Sequence, residues 1–203
     1  MLSRPLSRGF TLIELLITMS VLALLLALGL PAMATYLQNS KIGTSTSMLY
    51  GAIQNARAEA IRHNGQAQFV LTDTPVSTAN LGSALVPAVA GRNWVVRAPE
   101  NGTMAAIDSK DGGEGAATPA VQLNTVAAGA APLFDGTITF DALGATFPAG
   151  ATYTIDISNP AAGACVVAAG TIHCRRITVS AGGQIAACDP AVISNTDSRK
   201  CPP

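Results

Sequence analysis

The 203-residue sequence is short of the side chains that most protein chemistry depends on. It has two histidines, one tryptophan, 4% aromatic residues and 12% charged residues, and no cysteine before position 165. His63 stands at a predicted helix end and His173 adjoins Cys174, so no base and nucleophile pair of the kind covalent catalysis needs is evident. A phosphate-cradling P-loop, a dinucleotide fingerprint and an HExxH motif are also missing. The cysteines match no zinc spacing, and the acids of DSKDGGEGAATPA lack the EF-hand pattern. No catalytic residue, cofactor or metal is therefore expected, and the chain is not read as an enzyme.

Basic charge is scarce too. Beyond the first nine residues there are ten Lys and Arg against twelve Asp and Glu, a balance of −2. That is far from the basic field of a dedicated nucleic-acid binder.

What the sequence does have is one long apolar run. Residues 10–34 contain a single charge, Glu14, and exceed the roughly 20 residues that carry a helix across about 30 Å of hydrocarbon. A secretory signal would have a shorter apolar core followed by a small-residue cleavage site. Here the small residue, Gly9, comes before the run, so the run survives processing. Arg4 and Arg8 precede it, which puts the N-terminus on the cytoplasmic side and the bulk of the chain across the membrane.

The order of basic leader, Gly9, Phe10, Thr11, Leu12, Ile13, Glu14 and apolar helix resembles the processing signal of type IV pilins and type II secretion pseudopilins. The resemblance implies that a prepilin peptidase cuts between Gly9 and Phe10 and methylates Phe10. It also implies assembly roles for Glu14 and Pro31, the fifth and twenty-second residues after the cut. A carboxylate in an apolar membrane segment costs at least about 2.5 kcal/mol and marks a paired or functional group. The amine created at Phe10, on the same or a neighbouring subunit, is the natural partner, and the resemblance favours the neighbour. The alternative is a glutamate snorkelling to the interface.

After Pro31 the apolar pattern becomes one-sided, with Ile42, Leu49, Ile53, Ala56 and Ala60 at helical intervals. An amphipathic helix is expected to about Arg62, ended at His63-Asn64-Gly65 with glycine as the C-cap. Gly29 and Pro31 predict a kink or loosened turn. From Gln66 the period is two, in QAQFVLT, RNWVVRA, GTITFDA, ATYTIDIS, CVVAAGTIHC and CRRITVS, which predicts an antiparallel sheet against the helix stripe. Residues 73–92 and 99–120 read as loops.

Cys165, Cys174, Cys188 and Cys201 crowd into the last 39 residues, which suggests disulfides in an oxidising compartment. Three pairings are possible. Short local loops favour Cys165 with Cys174 and Cys188 with Cys201, the second fastening a tail with few apolar residues of its own.

The strand-turn-strand CRRITVSAGGQIAACDP, with GTITFDALG and the CDP…C ending, resembles the GspH/FimT family of minor pseudopilins and minor pilins. That implies an α+β, pilin-like fold. Residues 1–9 are the leader, 10–62 the N-terminal helix (10–34 transmembrane, 35–62 amphipathic), and 63–203 a periplasmic β-rich domain with a disulfide-fastened tail. The implied function is a structural subunit of a type II secretion pseudopilus, the alternative a minor type IV pilin in pilus assembly or DNA uptake. The implied location is the bacterial inner membrane, single-pass. The implied partners are the prepilin peptidase, other pseudopilins or pilins in a hetero-oligomeric filament, and inner-membrane lipid.

Some family members bind DNA through a basic motif at the place where this chain has Gly183-Gln184-Ile185-Ala186. With those positive side chains absent, a nucleic-acid partner is not expected. Arg175, Arg176, Arg199 and Lys200 remain as candidates for phosphate contact.

Overall fold

The computed structural model describes residues 10–77, 85–100, 102–111, 118–125 (backbone only) and 136–202. Helix α1 runs from Leu12 to Arg62, and the chain divides into two compact units, one up to Leu37 and one from Gln38 onward.

The first unit is apolar helix with its side chains outward: Leu12, Leu16, Leu22 and Leu30 are all more than half exposed. By length and composition α1 can cross a membrane. Its few polar side chains suit that setting. The hydroxyls of Thr18 and Ser20 donate to the carbonyls of Leu15 (2.9 Å) and Leu16 (2.8 Å), one turn back, leaving no donor for lipid to strand. The helix continues through Pro31, whose side chain lies outside the described residues.

The second unit is organised around the other half of α1. The stripe expected from the spacing, Ile42, Leu49, Ile53, Ala56 and Ala60, is buried, together with Ala52. The helix ends in a pair of bonds from Asn64 N to Ile61 O and from Gly65 N to Ala60 O. In this Schellman arrangement the left-handed residue is Asn64 (φ 47°), not Gly65 as the sequence suggested. Asn accepts the left-handed region better than most residues, and this frees Gly65 to pack close to Pro99.

Two antiparallel sheets replace the single one expected. The five-stranded sheet has the order β3-β2-β1-β5-β6 and the four-stranded sheet β4-β7-β8-β9. The strands are β1 Ala67–Thr72, β2 Asn93–Glu100, β3 Thr103–Lys110, β4 Thr118–Thr125, β5 Thr137–Phe140, β6 Thr146–Phe147, β7 Thr152–Ser158, β8 Arg175–Val179 and β9 Ile185–Cys188. One core joins them: Phe69, Leu71, Val96, Ile138 and Phe140 from the first sheet and Tyr153, Ile155, Ile157, Ile177 and Val179 from the second pack with the helix stripe.

Two local expectations are corrected. Residues 99–120, read as a loop, contain β3 and the start of β4. β3 is an edge strand with mostly exposed side chains, so it has no apolar alternation to betray it; its ladder with β2, bulged at Val96/Arg97, defines it. β4 is also an edge, which is where a strand tolerates Pro119. In the other direction, CVVAAGTIHC is no strand. It forms a 3-10 turn at Val166–Ala168 followed by left-handed Ala169, because the Cys165–Cys174 bond draws its ends to a Cα separation of 5.5 Å.

Candidate functional site

At the start of α1, Thr11 is the residue before the first helical turn, and its Oγ1 accepts the backbone N–H of Glu14 at 3.2 Å. Thr11 thus caps the helix and Glu14 occupies its third position, where a carboxylate favours the positive end of the helix dipole. The T-x-x-E spacing announces this cap, a signal that the reading of Glu14 as a membrane acid passed over. The neighbouring side chains of Leu12, Ile13 and Leu15 are exposed. Gly9 lies outside the described residues, while Phe10 is the first described residue and is 82% exposed.

Both short cysteine loops are closed: Cys165 is bonded to Cys174 and Cys188 to Cys201. The tail closed by the second bond is also held by Asp189 N donating to Arg199 O at 2.7 Å, yet it exposes Ile193 almost fully. Replacing Cys188 by Ser is expected to cost about 2–5 kcal/mol. Urea unfolding and limited proteolysis should then show a lower midpoint and early cutting within 189–200. Unchanged values would mean the hydrogen bonds alone hold the tail.

The four basic residues singled out as phosphate contacts are engaged within the chain. Arg176 makes two hydrogen bonds with Asp156, Nε–Oδ1 2.7 Å and Nη2–Oδ2 2.9 Å, a pair set face to face by the β7–β8 register. The Asp156 hydrogen bond raises the Arg176 pKa further. Arg175 Nη1 lies 2.8 Å from Oδ2 of buried Asp189. Arg199 is bidentate to Asp197, at 3.1 Å and 2.7 Å. Lys200 Nζ donates to Asn195 Oδ1. The recess of about 380 Å³ between α1 and the tail, lined by Gly43, Thr46, Ser47, Arg175 and Arg199 among others, therefore presents two guanidinium groups that are already neutralised. A phosphate there would compete with carboxylates already paired to both guanidinium groups.

The Asp197–Arg199 pair gives a titration to check. Hydrogen bonds from the Arg199 side chain and backbone lower the Asp197 pKa to about 2. Because the folded value is depressed, the pair stabilises fully above the ordinary Asp range near ~4 and stops doing so as pH falls through the folded value. NMR titration should place the Asp197 midpoint below the ordinary range, and Arg199→Ala, which keeps only the backbone bond, should raise it toward that range. A midpoint indifferent to Arg199→Ala would refute the pairing.

The hairpin turn at Gly183-Gln184 is a packing junction. Gly183 is buried, and it abuts the carbonyl of Gly144, to which Arg57 Nε donates at 3.0 Å. His63 Nε2 lies 3.3 Å from Glu59, and the backbone N–H of His173 donates to Asn39. Among the described residues no group of three or more His, Cys, Asp or Glu side chains is placed to hold a metal ion.

Two family models match the chain: the prokaryotic N-terminal methylation motif over residues 4–30, and Type II transport protein GspH over residues 45–183. No curated protein matches. Among solved structures, the type IV minor pilin FimU of Pseudomonas aeruginosa is similar at 16% identity and TM-score 0.48, covering 74% of this chain and 90% of that one. The minor pseudopilin EpsH from the type 2 secretion system of Vibrio cholerae is similar at 11% identity and TM-score 0.48, covering 75% of this chain and 99% of that one.

Proposed function

The chain belongs to the Type II transport protein GspH family, and on that premise we propose that it is a minor pseudopilin, a structural subunit of the periplasmic pseudopilus of a type II secretion system. The methylation-motif match across residues 4–30 supports processing between Gly9 and Phe10 by a prepilin peptidase, with methylation at Phe10. The apolar half of α1 anchors the subunit in the bacterial inner membrane as a single pass, and the β-rich domain stands in the periplasm. In the filament, apolar helices supply cohesion, Glu14 meets the Phe10 amine of a neighbour and sets axial register, and Pro31 marks the point where the helix adapts to packing. The protein is the substrate of an enzyme and has no catalytic role of its own.

The observation that carries secretion over DNA uptake is the engagement of Arg175, Arg176 and Arg199 by Asp189, Asp156 and Asp197. A phosphate-binding surface needs cations whose counterions are mobile, and these have carboxylates held by the fold. In-frame deletion in the source bacterium, scored in parallel for secreted-enzyme export and for surface pili with DNA uptake, is expected to abolish export and leave pili intact. Loss of pili or of transformation with export unaffected would assign the chain to a type IV pilus instead. That outcome would be strengthened by duplex DNA binding that falls steeply with salt.

A further inference from the structure

The segment 160–170, PAAGACVVAAG, has no side chain that is charged or forms a strong hydrogen bond. It nevertheless lies on the outside of the domain, with Ala161, Ala164, Ala168 and Ala169 exposed and Val167 63% exposed. No Asp, Glu, Lys or Arg occurs between Asp156 and Arg175.

Both ends of this segment are tied to one short stretch of α1. Asn159 Nδ2 donates to Gln38 Oε1 at 2.8 Å, and His173 N donates to Asn39 Oδ1 at 2.9 Å. Gln38 is four residues beyond Ala34, where the apolar run ends. Both lie within helix α1, so they are separated by about 6 Å along its axis. The headgroup zone on one side of a bilayer is roughly 5–8 Å deep. An apolar surface anchored at Gln38 and Asn39 is therefore within reach of the lipid that the preceding helix enters.

The backbone is fitted for that setting. Within the loop, N–H groups of Val166, Ala168, Ala169, Gly170 and Ile172 donate to the carbonyls of Ile172, Cys165, Val166, Cys165 and Ala164, at 2.8–3.2 Å. Five N–H groups paired internally suit a loop that rests at headgroup level, outside the hydrocarbon core where lipid-exposed irregular backbone does not occur. The fold is close-packed to achieve it: a Cβ at Gly170 would lie 1.9 Å from Ala164 O. The Cys165–Cys174 bond holds the ring shut.

We propose that the disulfide-closed loop around Val166 and Val167 is a lipid-contact surface, which rests against the outer face of the inner membrane and steadies the domain there before the subunit enters a filament. The proposal rests on the membrane-anchored reading above. It commits to lipid because the loop is fastened to Gln38 and Asn39, four and five residues beyond the apolar run, and carries no charged side chain.

The test uses the full-length chain reconstituted in phosphatidylethanolamine and phosphatidylglycerol vesicles with acyl chains brominated near the glycerol end, to read the loop, or near the chain terminus, to read Leu22→Trp. Tryptophan is introduced singly by Val167→Trp, Ala168→Trp, Leu143→Trp or Leu22→Trp, with buried Trp94 as a constant background. Leu143 adjoins Gly144, which contacts Arg57 and Ile61. Those helix residues stand nineteen or more positions beyond Gln38, about 28 Å along the axis.

Emission is expected to shift blue and be quenched by bromine for Val167→Trp and Ala168→Trp, and to be unchanged for Leu143→Trp. Two loop positions guard against either substitution disturbing the turn. Quenching of Leu22→Trp without quenching at 167 or 168 overturns the loop proposal and leaves the anchor standing. A blue shift at 167 and 168 without quenching also overturns it, by assigning the surface to another protein copy. An unquenched Leu22→Trp overturns the anchor and the loop contact together.

Discussion

Replacing Glu14 by Leu is expected to leave the chain inserted in the membrane and cut after Gly9, yet to reduce its incorporation into filaments about a hundredfold or more. Insertion survives because leucine lengthens the apolar run. Assembly fails because, in the proposed filament, the neighbour's Phe10 amine is left without its carboxylate in a low-dielectric core. Removing one partner of a buried ion pair costs on the order of 3–5 kcal/mol, and about 1.4 kcal/mol corresponds to a factor of ten.

The helix-start role of Glu14 is too small to account for such a loss, since an acid in the first turn contributes about 0.3–1 kcal/mol. Thr11→Ala separates the two effects. It removes the observed cap on Glu14 N at a cost of about 1 kcal/mol and should assemble nearly normally. The measurements are mass spectrometry of the mature N-terminus and site-specific crosslinking to neighbouring subunits. Normal crosslinking of processed Glu14→Leu would end the pairing model.

Gly183→Ala is the second large effect, and it acts on the domain. Gly183 sits at φ 74° in the turn between β8 and β9, and an added Cβ would lie 1.7 Å from Gly144 O. An alanine there pays about 1–2 kcal/mol for the left-handed backbone. To make room, the β8–β9 turn must also separate from the β5–β6 turn, which disturbs the bond from Arg57 Nε to Gly144 O, worth about 1.5–3 kcal/mol for a charged donor. The expected destabilisation is about 2.5–5 kcal/mol, a large part of the stability of an ordinary domain. Its neighbour supplies the control: a Cβ at Gly182 meets nothing within 4 Å, so Gly182→Ala should be near neutral. Urea unfolding of the full chain in detergent, followed through Trp94, reads both. Equal midpoints for the two variants would mean that the turn adapts without parting from Gly144.

The same junction shows where sequence reading stops. GGQI was legible as a hairpin turn, and the lack of positive side chains there was plain. That Gly183 joins α1 and both sheets was not, since Arg57, Gly144 and Gly183 are far apart in the chain. Thr11 could have been found from the T-x-x-E spacing alone. β3 could not, because an exposed edge strand is specified by its partner's hydrogen bonds more than by its own alternation.

Whatever depends on near neighbours in the chain was determined by the sequence itself. The uninterrupted apolar run makes a helix long enough for a bilayer, the three- and four-residue spacing of Ile42 to Ala60 makes the buried stripe, and closely spaced cysteines close local loops. Tertiary structure decided what depends on register and long-range packing. It split the strands into two sheets over one core, and set Asp156 opposite Arg176 across β7 and β8. It also brought Asp189 to Arg175 and fastened the 160–170 loop to Gln38 and Asn39. The physical reason is that net charge and residue type belong to the chain, whereas the field at a surface depends on which charges the fold brings within bonding distance. Of the four basic residues that read as a cluster in sequence, three are, once folded, paired with carboxylates.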